Sequence, residues 1–295
     1  MEPLVYIILV NYKSAQYTID CIKSLNKITY RNKKIVVVDN FSQDNSVNEI
    51  RKNIEDVYII ESTKNEGWSG GNNIGIKRAL EDEAEYVLLL NNDTEVEANF
   101  LTEMVESFGR HDNAAIVGSK IMYFDEPEKI WYAGGRINWF KFTSEHYGIK
   151  EIDKGQCDEE KEVTFITGCN MLIKSEVIKK NGLIPHEYFM YFEDNDYCTK
   201  VLDSGYKLVY NPNAKIYHKV SASSGGEDSP FTLMWMTRNI QIFMNKYKSK
   251  SPSFILSKIY RYLGFLKKII VYKINKEEEL LKAVLWGIRE GKKLK

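Results

Sequence analysis

Four short apolar runs alternate with segments of helical spacing in the first third of the chain. The runs lie at residues 4–10, 34–38, 57–61 and 86–90. Uninterrupted apolar runs of this length, rich in Val, Ile and Tyr, are typical of strands that are covered on both faces. Between them, helical spacing begins near Ser14, near residues 42–45 and near Asn72. The pattern therefore predicts a β-α-β-α-β-α-β unit, and with it a mostly parallel, doubly wound α/β sheet with helices on both faces.

Later in the chain the pattern predicts a different mixture of elements. Residues 114–124 and 134–142 are typical of longer, partly antiparallel strands. Residues 162–183 predict a strand, a turn and a helix that ends at a glycine. Residues 208–219, "LVYNPNAKIYHK", predict two short strands across a turn.

Charge is divided unevenly between two expected domains. We expect a large domain over residues 1–230, with halves at 1–115 and 116–230, and a basic amphipathic helical extension over residues 231–295. The extension holds 15 Lys and Arg against 4 Asp and Glu, a net charge of +11, whereas the rest of the chain carries −11. Cationic amphipathic helices bind anionic lipid leaflets. The sequence therefore favours contact with a membrane surface, and a helical extension that packs or forms a homodimer is the alternative.

The totals exclude several classes of protein. A formal net charge of +0, from 41 basic and 41 acidic residues, argues against a dedicated nucleic-acid binder. The four cysteines lack the paired spacing of a zinc site, and nothing indicates a disulfide framework. The first residues lack the basic start of a signal peptide, and no run approaches the roughly 20 apolar residues of a spanning helix. We expect a cytoplasmic protein that is at most peripheral on the inner face of the cell membrane.

Polar clusters follow each of the four predicted strands. They are Asn11 with Tyr12, Asp39 with Asn40, the segment 65–73, and residues 91–93. A single Asp after a strand is most often a helix cap or a turn former. Because parallel strands end at one edge of the sheet, however, four such clusters are expected to converge on one crevice, which is where α/β proteins bind ligands.

The segment "NEGWSGGNNIGIKRA" is rich in glycine but matches neither the dinucleotide fingerprint nor the P-loop. Its glycines allow close approach of the backbone, and its asparagines supply amides near a helix N-terminus. These features favour a ligand loop. A turn that uses glycine for packing is the alternative.

Two further features indicate chemistry. Glu193, Asp194 and Asp196 follow a mostly aromatic segment and precede a predicted helix, where partial desolvation would tune a carboxylate as a general base. Acidic residues also favour the first turn of any helix, which is the alternative reading. His218 follows a strand-like run, and beside a carboxylate strand end it becomes a candidate ligand for a divalent cation.

The ordered set of motifs resembles the inverting glycosyltransferases of family 2, which have the A-type nucleotide-sugar-binding fold, and above all their rhamnosyltransferase-like branch. The resemblance covers about residues 4 to 245. It rests on the order and spacing of "VYIILVNYKS", "IVVVDNFSQDNS", "NEGWSGGNNIGI", "LLLNNDTEV", "FITGCNMLIKSEVIKKNGLI", "YFEDNDYC", "YHKVSAS" and "RNIQIF".

The resemblance implies a role for each matching residue. The nucleotide-sugar site would comprise Val10, Asn11, Tyr12, Asp39, Asn65, Gly67, Asn72, Asn92 and Asp93. The donor-sugar and acceptor side would comprise Trp131, Thr167, Gly168, Cys169 and Glu193. Asp194 would be the catalytic base, and Asp93 and His218 would bind Mg²⁺ or Mn²⁺. Asn91 stands where many relatives carry Asp, and its neutral amide lowers the negative charge of the metal site.

The implied function is transfer of a sugar, with inversion, from a nucleoside diphosphate sugar to a hydroxyl group of a glycan or lipid-linked acceptor. The donor would be dTDP-rhamnose or a UDP-sugar, and the product a cell-surface polysaccharide. Three alternatives stand beside it. An NAD-dependent oxidoreductase would need the missing glycine fingerprint. A nucleotide-sugar pyrophosphorylase would need a glycine-rich, arginine-containing loop near residue 11. A non-catalytic sugar-nucleotide-binding or scaffold protein remains open because of Asn91.

Overall fold

A computed structural model of the chain describes residues 2–220 and 229–293. The strands are β1 (Val5–Asn11), β2 (Lys33–Asp39), β3 (Tyr58–Glu61), β4 (Tyr86–Leu90), β5 (Thr94–Val96), β6 (Ala114–Tyr123), β7 (Ile130–Tyr132), β8 (Gly135–Asn138), β9 (Thr143–His146), β10 (Lys161–Val163), β11 (Asn170–Lys174) and β12 (Lys207–His218). The α-helices are α1 (Ala15–Leu25), α2 (Ser46–Asn53), α3 (Gly67–Glu81), α4 (Phe100–Arg110), α5 (Ser175–Asn181), α6 (Glu193–Asp203), α7 (Pro230–Lys246), α8 (Phe254–Ile274) and α9 (Glu278–Lys293).

The main sheet has the strand order β10-β12-β6-β11-β4-β1-β2-β3. Strands β3, β2, β1 and β4 are parallel, and β11 is antiparallel to both of its neighbours. Strand β12 pairs parallel with β6, and the short strands β5 and β7 pair with β12 and β6. The predicted β-α-β-α-β-α-β alternation is confirmed, and so is the mixture of parallel and antiparallel strands in the second half. The helix ending at a glycine is also confirmed, because α5 is followed by Gly182 at φ +82°. The longer strand predicted over residues 134–142 is wrong, because β8 ends at Asn138 and residues 139–142 form a turn.

Strand β4 lies inside the sheet, between β1 and β11. All five of its residues are buried. A strand with neighbours on both edges and layers on both faces needs an uninterrupted apolar sequence. This explains why the run at residues 86–90 ends so abruptly in polar side chains, because the chain leaves the core at Leu90.

Helix α3 begins at Gly67, five residues before the start predicted at Asn72. The glycine-rich segment is therefore the first part of a helix and not a loop that precedes one. A Cβ on Gly75 would lie 2.5 Å from Ile8 Cγ2 of β1, and one on Gly71 would lie 2.8 Å from Val10 Cγ1. These glycines serve close packing of α3 on β1, which was the alternative reading of the segment.

Replacing Gly75 by alanine is expected to destabilise the protein by up to about 2 kcal/mol. The new methyl group must displace the branched side chain of Ile8, which is stiff in a strand, and overpacking of a core costs about 1–3 kcal/mol. The better helix propensity of alanine offsets about 1 kcal/mol of this cost. Urea unfolding at equilibrium measures the difference.

Gly109→Ala in α4 is the matched control, because nothing lies within 4 Å of the position its Cβ would occupy. This variant gains the same helix propensity without a clash, so it is expected to stabilise the protein by about 0.5–1 kcal/mol. Equal effects of the two substitutions would contradict the packing role of Gly75.

Residues 207–218 form the single strand β12, so the prediction of two short strands across a turn is wrong. The sequence Asn-Pro-Asn creates a shift of register between Asn211 and Lys215 and not a reversal of the chain. Asn211 Oδ1 accepts a hydrogen bond from the Asn213 amide at 2.8 Å, and its Nδ2 donates to Ser107 Oγ at 2.9 Å. These bonds give hydrogen-bond partners to the Asn213 amide and the Asn211 side chain, where the strand is irregular. The continuous strand carries His218 to a position opposite Thr94 of β5.

The described chain divides into two compact units. The first comprises Met1–Arg136, His146–Phe189 and Glu193–Val220, and contains the main sheet. The second comprises Ile137–Glu145, Met190–Phe192 and Ser221–Lys295, and contains α7, α8 and α9. Its apolar cluster is built from Leu233, Ala283 and Val284, with Ile269 and Tyr272 packed against them. Among the described helices, none combines the length and apolar character needed to cross a membrane.

Candidate active site

A buried hydrogen-bond network joins the carboxyl ends of β1 and β2. Asn11 Nδ2 donates to Asp39 Oδ1 at 2.8 Å, and Asn11 Oδ1 accepts from Thr18 Oγ1 at 2.9 Å. Asp39 also accepts hydrogen bonds from the amide and the hydroxyl group of Ser42, at 3.0 and 2.5 Å. Asn11 and Asp39 are both buried, whereas the neighbouring Tyr12 is 41% exposed. The network therefore fixes the strand ends and leaves an aromatic ring available beside them.

Asn40 ties the start of α3 to the same edge of the sheet. Its backbone amide donates to Asn11 O at 2.8 Å, and its Nδ2 donates to Asn65 Oδ1 at 3.1 Å and to Gly67 O at 3.0 Å. Asn65 Oδ1 also accepts from the Gly67 amide at 2.9 Å. Gly67 has φ +69°, and a Cβ there would lie 2.2 Å from Phe189 O. Asn65 and Gly67 are thus brought next to the Asn11–Asp39 network.

Trp68 connects α3 to the end of β4. Its indole Nε1 donates to Asn91 Oδ1 at 3.0 Å, and the backbone amide of Asn91 donates to Cys169 O at 2.9 Å. A Cβ on Gly168 would lie 2.9 Å from the indole ring, so the loop needs glycine to pack there. Asn72 Nδ2 donates to Trp68 O at 2.9 Å, one turn back along α3. The side-chain NH₂ group of Asn72 is therefore committed to the helix, and the residue is almost fully buried.

Asn92 is turned toward α1. Its Nδ2 donates to Ser14 Oγ and to Thr18 Oγ1, both at 2.8 Å. Because Thr18 in turn donates to Asn11 Oδ1, Asn92 belongs to the same buried network as Asn11. This amide shapes the loop after β4 and holds the start of α1 against it.

Asp93 faces His218 at the end of β12. Asp93 Oδ1 lies 3.2 Å from His218 Nε2, and both side chains are more than nine-tenths buried, with exposed fractions of 7% and 8%. Neither Asp93 Oδ1 nor His218 Nδ1 has an aligned hydrogen-bond partner among the described residues. Asp93 Oδ1 therefore faces His218 Nε2 at ion-pair distance, and the unpartnered Nδ1 is the other ring nitrogen of His218. Residues 221–223 of the motif "YHKVSAS" lie outside the described residues.

The separation of this pair is that of an ion pair, and it also matches two neighbouring ligands of a divalent cation. Two ligands at right angles, each about 2.1 Å from Mg²⁺ or Mn²⁺, lie about 3 Å apart, close to the observed separation. No three His, Cys, Asp or Glu side chains converge in residues 2–220 and 229–293, so other ligands would be water and substrate oxygens, as is usual for Mg²⁺. Burial lowers the pKa of His218, but Cys169 and the Asp93 carboxylate outweigh it and raise this pKa to about 10. His218 is therefore the charged partner of Asp93 at pH 7, and its ring would have to lose this proton in order to bind a divalent cation.

Trp131 lies against His218. The two rings meet edge to face with their centres 4.7 Å apart, and Trp131 makes a second such contact with His146 at 5.1 Å. Burial lowers the pKa of His146 to about 4, so its ring is neutral at pH 7. A partly exposed indole beside the candidate metal ligand is placed to form one wall of a sugar site.

Asp194 lies in the first turn of α6 and is held by two backbone amides. Its Oδ2 accepts from the Gly168 amide at 3.1 Å, and its Oδ1 accepts from the Asn195 amide at 2.8 Å. Burial raises the pKa of Asp194 to about 6, although the two amides oppose this rise. At pH 7 the carboxylate is ionised and more basic than an ordinary aspartate. Because it is also partly exposed, it is suited to accept a proton from a substrate.

Glu193 is the more deeply buried neighbour, with 5% of its surface exposed. Burial raises its pKa well above the usual range, and the charge of Asp194 raises it further. Its Oε2 has no hydrogen-bond partner within the described part of the chain. Both causes favour the protonated form of Glu193, so Asp194 is the better candidate for a base of the two carboxyl groups.

The segment 167–169 joins the two halves of the site. Gly168 donates to Asp194, while Cys169 O accepts from Asn91 at the end of β4. Thr167 Oγ1 accepts from the Cys169 amide at 3.3 Å and stiffens the turn between them. The carboxyl end of β4 and the start of α6 thus meet at one loop.

Residues 6–182 match the family model described as "Glycosyl transferase family 2", and this match is decisive. The chain belongs to glycosyl transferase family 2. The predicted family is confirmed, and neither an NAD-dependent oxidoreductase nor a pyrophosphorylase is supported.

Relatives of this family 2 chain include "dTDP-rhamnosyl transferase RfbF" of Shigella flexneri. It is 24% identical, over 76% of this chain and 72% of its own length. An uncharacterised protein of Sinorhizobium fredii is 28% identical over 76% of this chain, which spans only 25% of that protein. The family 2 domain is therefore found in longer proteins as well.

Solved structures with similar folds are glycosyltransferases. GalNAc-T7 with UDP, GalNAc and Mn²⁺ has a TM-score of 0.65 at 18% identity, and covers 83% of this chain and 49% of its own. The mannosyltransferase PcManGT of Pyrobaculum calidifontis, in complex with GDP-Man and Mn²⁺, has a TM-score of 0.61 at 14% identity, over 100% of this chain and 76% of its own. The predicted A-type glycosyltransferase fold is confirmed.

Two residues of this family 2 site have contacts that the sequence analysis did not anticipate. Trp68 joins Asn91 to the 167–169 segment, and its signal was an isolated tryptophan inside a glycine-rich segment. Thr18 links Asn11 to Asn92. One turn into a helix, its position carries no sequence signal that separates it from any other helical threonine.

Proposed function

We propose that the chain transfers a sugar, with inversion of configuration, from a nucleoside diphosphate sugar to a hydroxyl group of a glycan or lipid-linked acceptor. The product would be a cell-surface polysaccharide. The observation that carries this proposal is the arrangement around residues 167–169. The Gly168 amide donates to Asp194, and Cys169 O accepts from the backbone amide of Asn91. Two residues after Asn91, Asp93 faces His218. An ionised base and a cation site on either side of one loop are what a displacement at a sugar carbon requires.

The nucleoside would bind at the ends of β1 and β2. Asp39 and Asn11 are buried and preorganised by each other, and a carboxylate at this position is a suitable acceptor for ribose hydroxyl groups. Tyr12 offers an exposed ring for stacking on the base. Val10, Asn65, Gly67 and Asn72 would complete the pocket from β1 and α3, while Asn92 supports it from behind through α1.

Asp194 would remove the proton of the acceptor hydroxyl as its oxygen attacks the anomeric carbon. The new bond forms between that oxygen and the sugar, the bond to the diphosphate breaks, and the proton passes to Asp194. The amides of Gly168 and Asn195 hold the carboxylate in position for this transfer. Trp131, Thr167, Cys169 and Glu193 would surround the sugar and the acceptor, and the raised pKa of Glu193 favours a carboxyl group that can donate a hydrogen bond.

Asp93 and His218 would hold a divalent cation, Mg²⁺ or Mn²⁺. When bound, it supplies neutralisation of the charge that develops on the diphosphate leaving group. Asn91 does not weaken this arrangement directly, because its oxygen is directed to Trp68 and not to the Asp93–His218 pair. Two of the similar solved structures contain Mn²⁺, which supports the same choice of metal.

The donor would be dTDP-rhamnose or a UDP-hexose. The first choice is supported by the Shigella flexneri relative that is named a dTDP-rhamnosyl transferase. The second is supported by the fold neighbour that contains UDP. Pocket contacts of a few side chains decide between such donors.

A panel of dTDP-, UDP- and GDP-sugars with Mn²⁺ tests the proposed function by thermal unfolding. A true donor at about 100 times its dissociation constant stabilises the folded state by about 2.7 kcal/mol, so one member of the panel should raise the melting temperature clearly. NADH serves as the control and should have no effect.

Failure of every sugar nucleotide to shift the melting temperature would overturn the proposal. A shift without release of nucleoside diphosphate in the presence of acceptor glycans would favour the non-catalytic binding protein instead. Hydrolysis or transfer of one donor, detected by release of its diphosphate, is the expected result.

A further inference from the structure

Helix α8 exposes an unusual amount of apolar surface. Among the described residues, 18 large hydrophobic side chains are exposed, and nine of them belong to this one helix of 21 residues. Ile255, Leu263 and Ile274 are 74%, 60% and 74% exposed. Scattered apolar residues are normal on a protein surface, but a contiguous group marks a surface that meets another apolar phase.

The exposed residues share one face of α8. With 3.6 residues per turn, Ile255, Ile259, Leu263, Leu266 and Ile270 project within an arc of about 80°. The opposite side of the helix is occupied, because Ile269 and Tyr272 pack on the cluster of Leu233, Ala283 and Val284 within the same unit. The helix is therefore anchored along one side and uncovered along the other.

The hairpin of β8 and β9 extends this surface. Phe140 lies at its tip and is 42% exposed. Its ring centre is 5.5 Å from that of Tyr260 on α8, which is 48% exposed. Both residues belong to the second unit. The apolar surface thus continues from the helix onto a second element that carries an aromatic side chain.

The charge of α8 has a single sign. Its sequence, "FILSKIYRYLGFLKKIIVYKI", contains four lysines and one arginine and no acidic residue. The four lysines are exposed. Lysine side chains beside an apolar face can extend their charged ends toward lipid headgroups while their methylene groups remain in the apolar layer. An uncovered apolar face bordered only by cations is complementary to an anionic lipid surface.

A second copy of the chain would cover the apolar face less well. At 100° per residue, Lys267 and Lys273 border this face, so pairing two α8 helices through it would bring like charges together, with no acidic residue on α8 to offset them. An anionic bilayer would cover the exposed apolar area and attract these lysines.

We infer that α8, with the tip of the β8–β9 hairpin, binds the surface of an anionic phospholipid bilayer and lies in its plane without crossing it. The inference goes beyond sugar transfer, because it needs neither a donor nor an intact active site. A failure of lipid binding would leave the proposed reaction untouched, and the reverse also holds.

Flotation of the full-length chain with vesicles tests this inference. The wild type is expected to bind vesicles of phosphatidylcholine and phosphatidylglycerol, and to bind pure phosphatidylcholine much more weakly. Ile259→Ser with Ile270→Ser should weaken binding by more than about tenfold, because it places two hydroxyl groups at the centre of the apolar face. Isoleucine and serine have similar helix propensities, so the helix itself is preserved.

The matched control is Ile149→Ser with Ile152→Ser in the first unit. These two isoleucines are 41% and 51% exposed, against 51% and 49% for Ile259 and Ile270. The control should bind vesicles like the wild type. Lys267→Gln with Lys273→Gln should weaken binding to the anionic vesicles by about fivefold per lysine and leave binding to phosphatidylcholine unchanged.

Equal binding by the wild type and the Ile259/Ile270 variant would overturn the inference. So would a dimer, detected by sedimentation velocity without lipid, that the same two substitutions dissociate, because a second copy would then be the partner. Circular dichroism of each variant establishes that the helices are intact.

Discussion

Asp194→Asn is expected to lower the turnover number for sugar transfer about 1,000-fold, within the range that a positioned general base contributes. Asparagine has nearly the same shape and still accepts the hydrogen bond that Gly168 donates to Asp194. Its amide cannot take the proton of an acceptor hydroxyl. Donor affinity should stay within about twofold of the wild type, because the base acts on the acceptor and not on the nucleotide.

The pH dependence of the wild type gives a second measurement of the same role. The pKa of Asp194 is raised to about 6 by burial, and a base works only when ionised. The ratio kcat/KM should therefore be level above about pH 7 and fall about tenfold per pH unit below the pKa. An ordinary exposed aspartate would place this fall about two pH units lower.

Asp203→Asn is the control for both measurements. Asp203 lies at the other end of α6 and is exposed. Its replacement removes one carboxylate from the same helix without a change in the candidate site. Its turnover and pH profile should match the wild type. Transfer at the wild-type rate by Asp194→Asn would show that another group accepts the proton.

The elements that the sequence predicted well are those whose signals are local. Five consecutive apolar residues indicate strand β4, and the glycine that follows α5 indicates where that helix ends. The start of α3 was misplaced because glycine is unfavourable in an isolated helix. Its advantage at Gly71 and Gly75 depends on Val10 and Ile8 of β1, which are distant in sequence. Such long-range compensation leaves no trace in the helix's own residues.

The polar end of β4 shows the same limit at the level of function. Asn91, Asn92 and Asp93 are consecutive, yet their side chains have different partners. The Asn91 side chain accepts a hydrogen bond from Trp68, and that of Asn92 donates to Ser14 and Thr18. The Asp93 side chain faces His218. The sequence predicts that polar groups gather at this strand end. Which of them faces the ligand depends on partners that only the folded chain brings near. The structure shows that Asn91 and Asn92 support the loop, whereas Asp93 faces the imidazole of His218.

Asp93→Asn is expected to weaken Mn²⁺-dependent binding of nucleoside diphosphate at least about 100-fold, because loss of a ligand should exceed the 10- to 100-fold cost of losing a residue that merely supports one. The substitution preserves size and removes the negative charge that faces His218 at 3.2 Å. Titration calorimetry with and without Mn²⁺ measures the effect. In the presence of a chelator, the variant and the wild type should bind the nucleotide equally weakly, because the Asn11–Asp39 network is intact in both.

Glu95→Gln separates ligation of the cation from a general loss of negative charge. Glu95 lies two residues further along, in β5, and its carboxylate pairs with Lys219 at 2.9 Å. If Asp93 acts only through the net charge of this region, both substitutions should weaken Mn²⁺-dependent binding alike. If Asp93 is a ligand, Glu95→Gln should retain binding within a few-fold of the wild type. Equal losses in the two variants would therefore remove Asp93 from the cation site, whatever the effect on transfer.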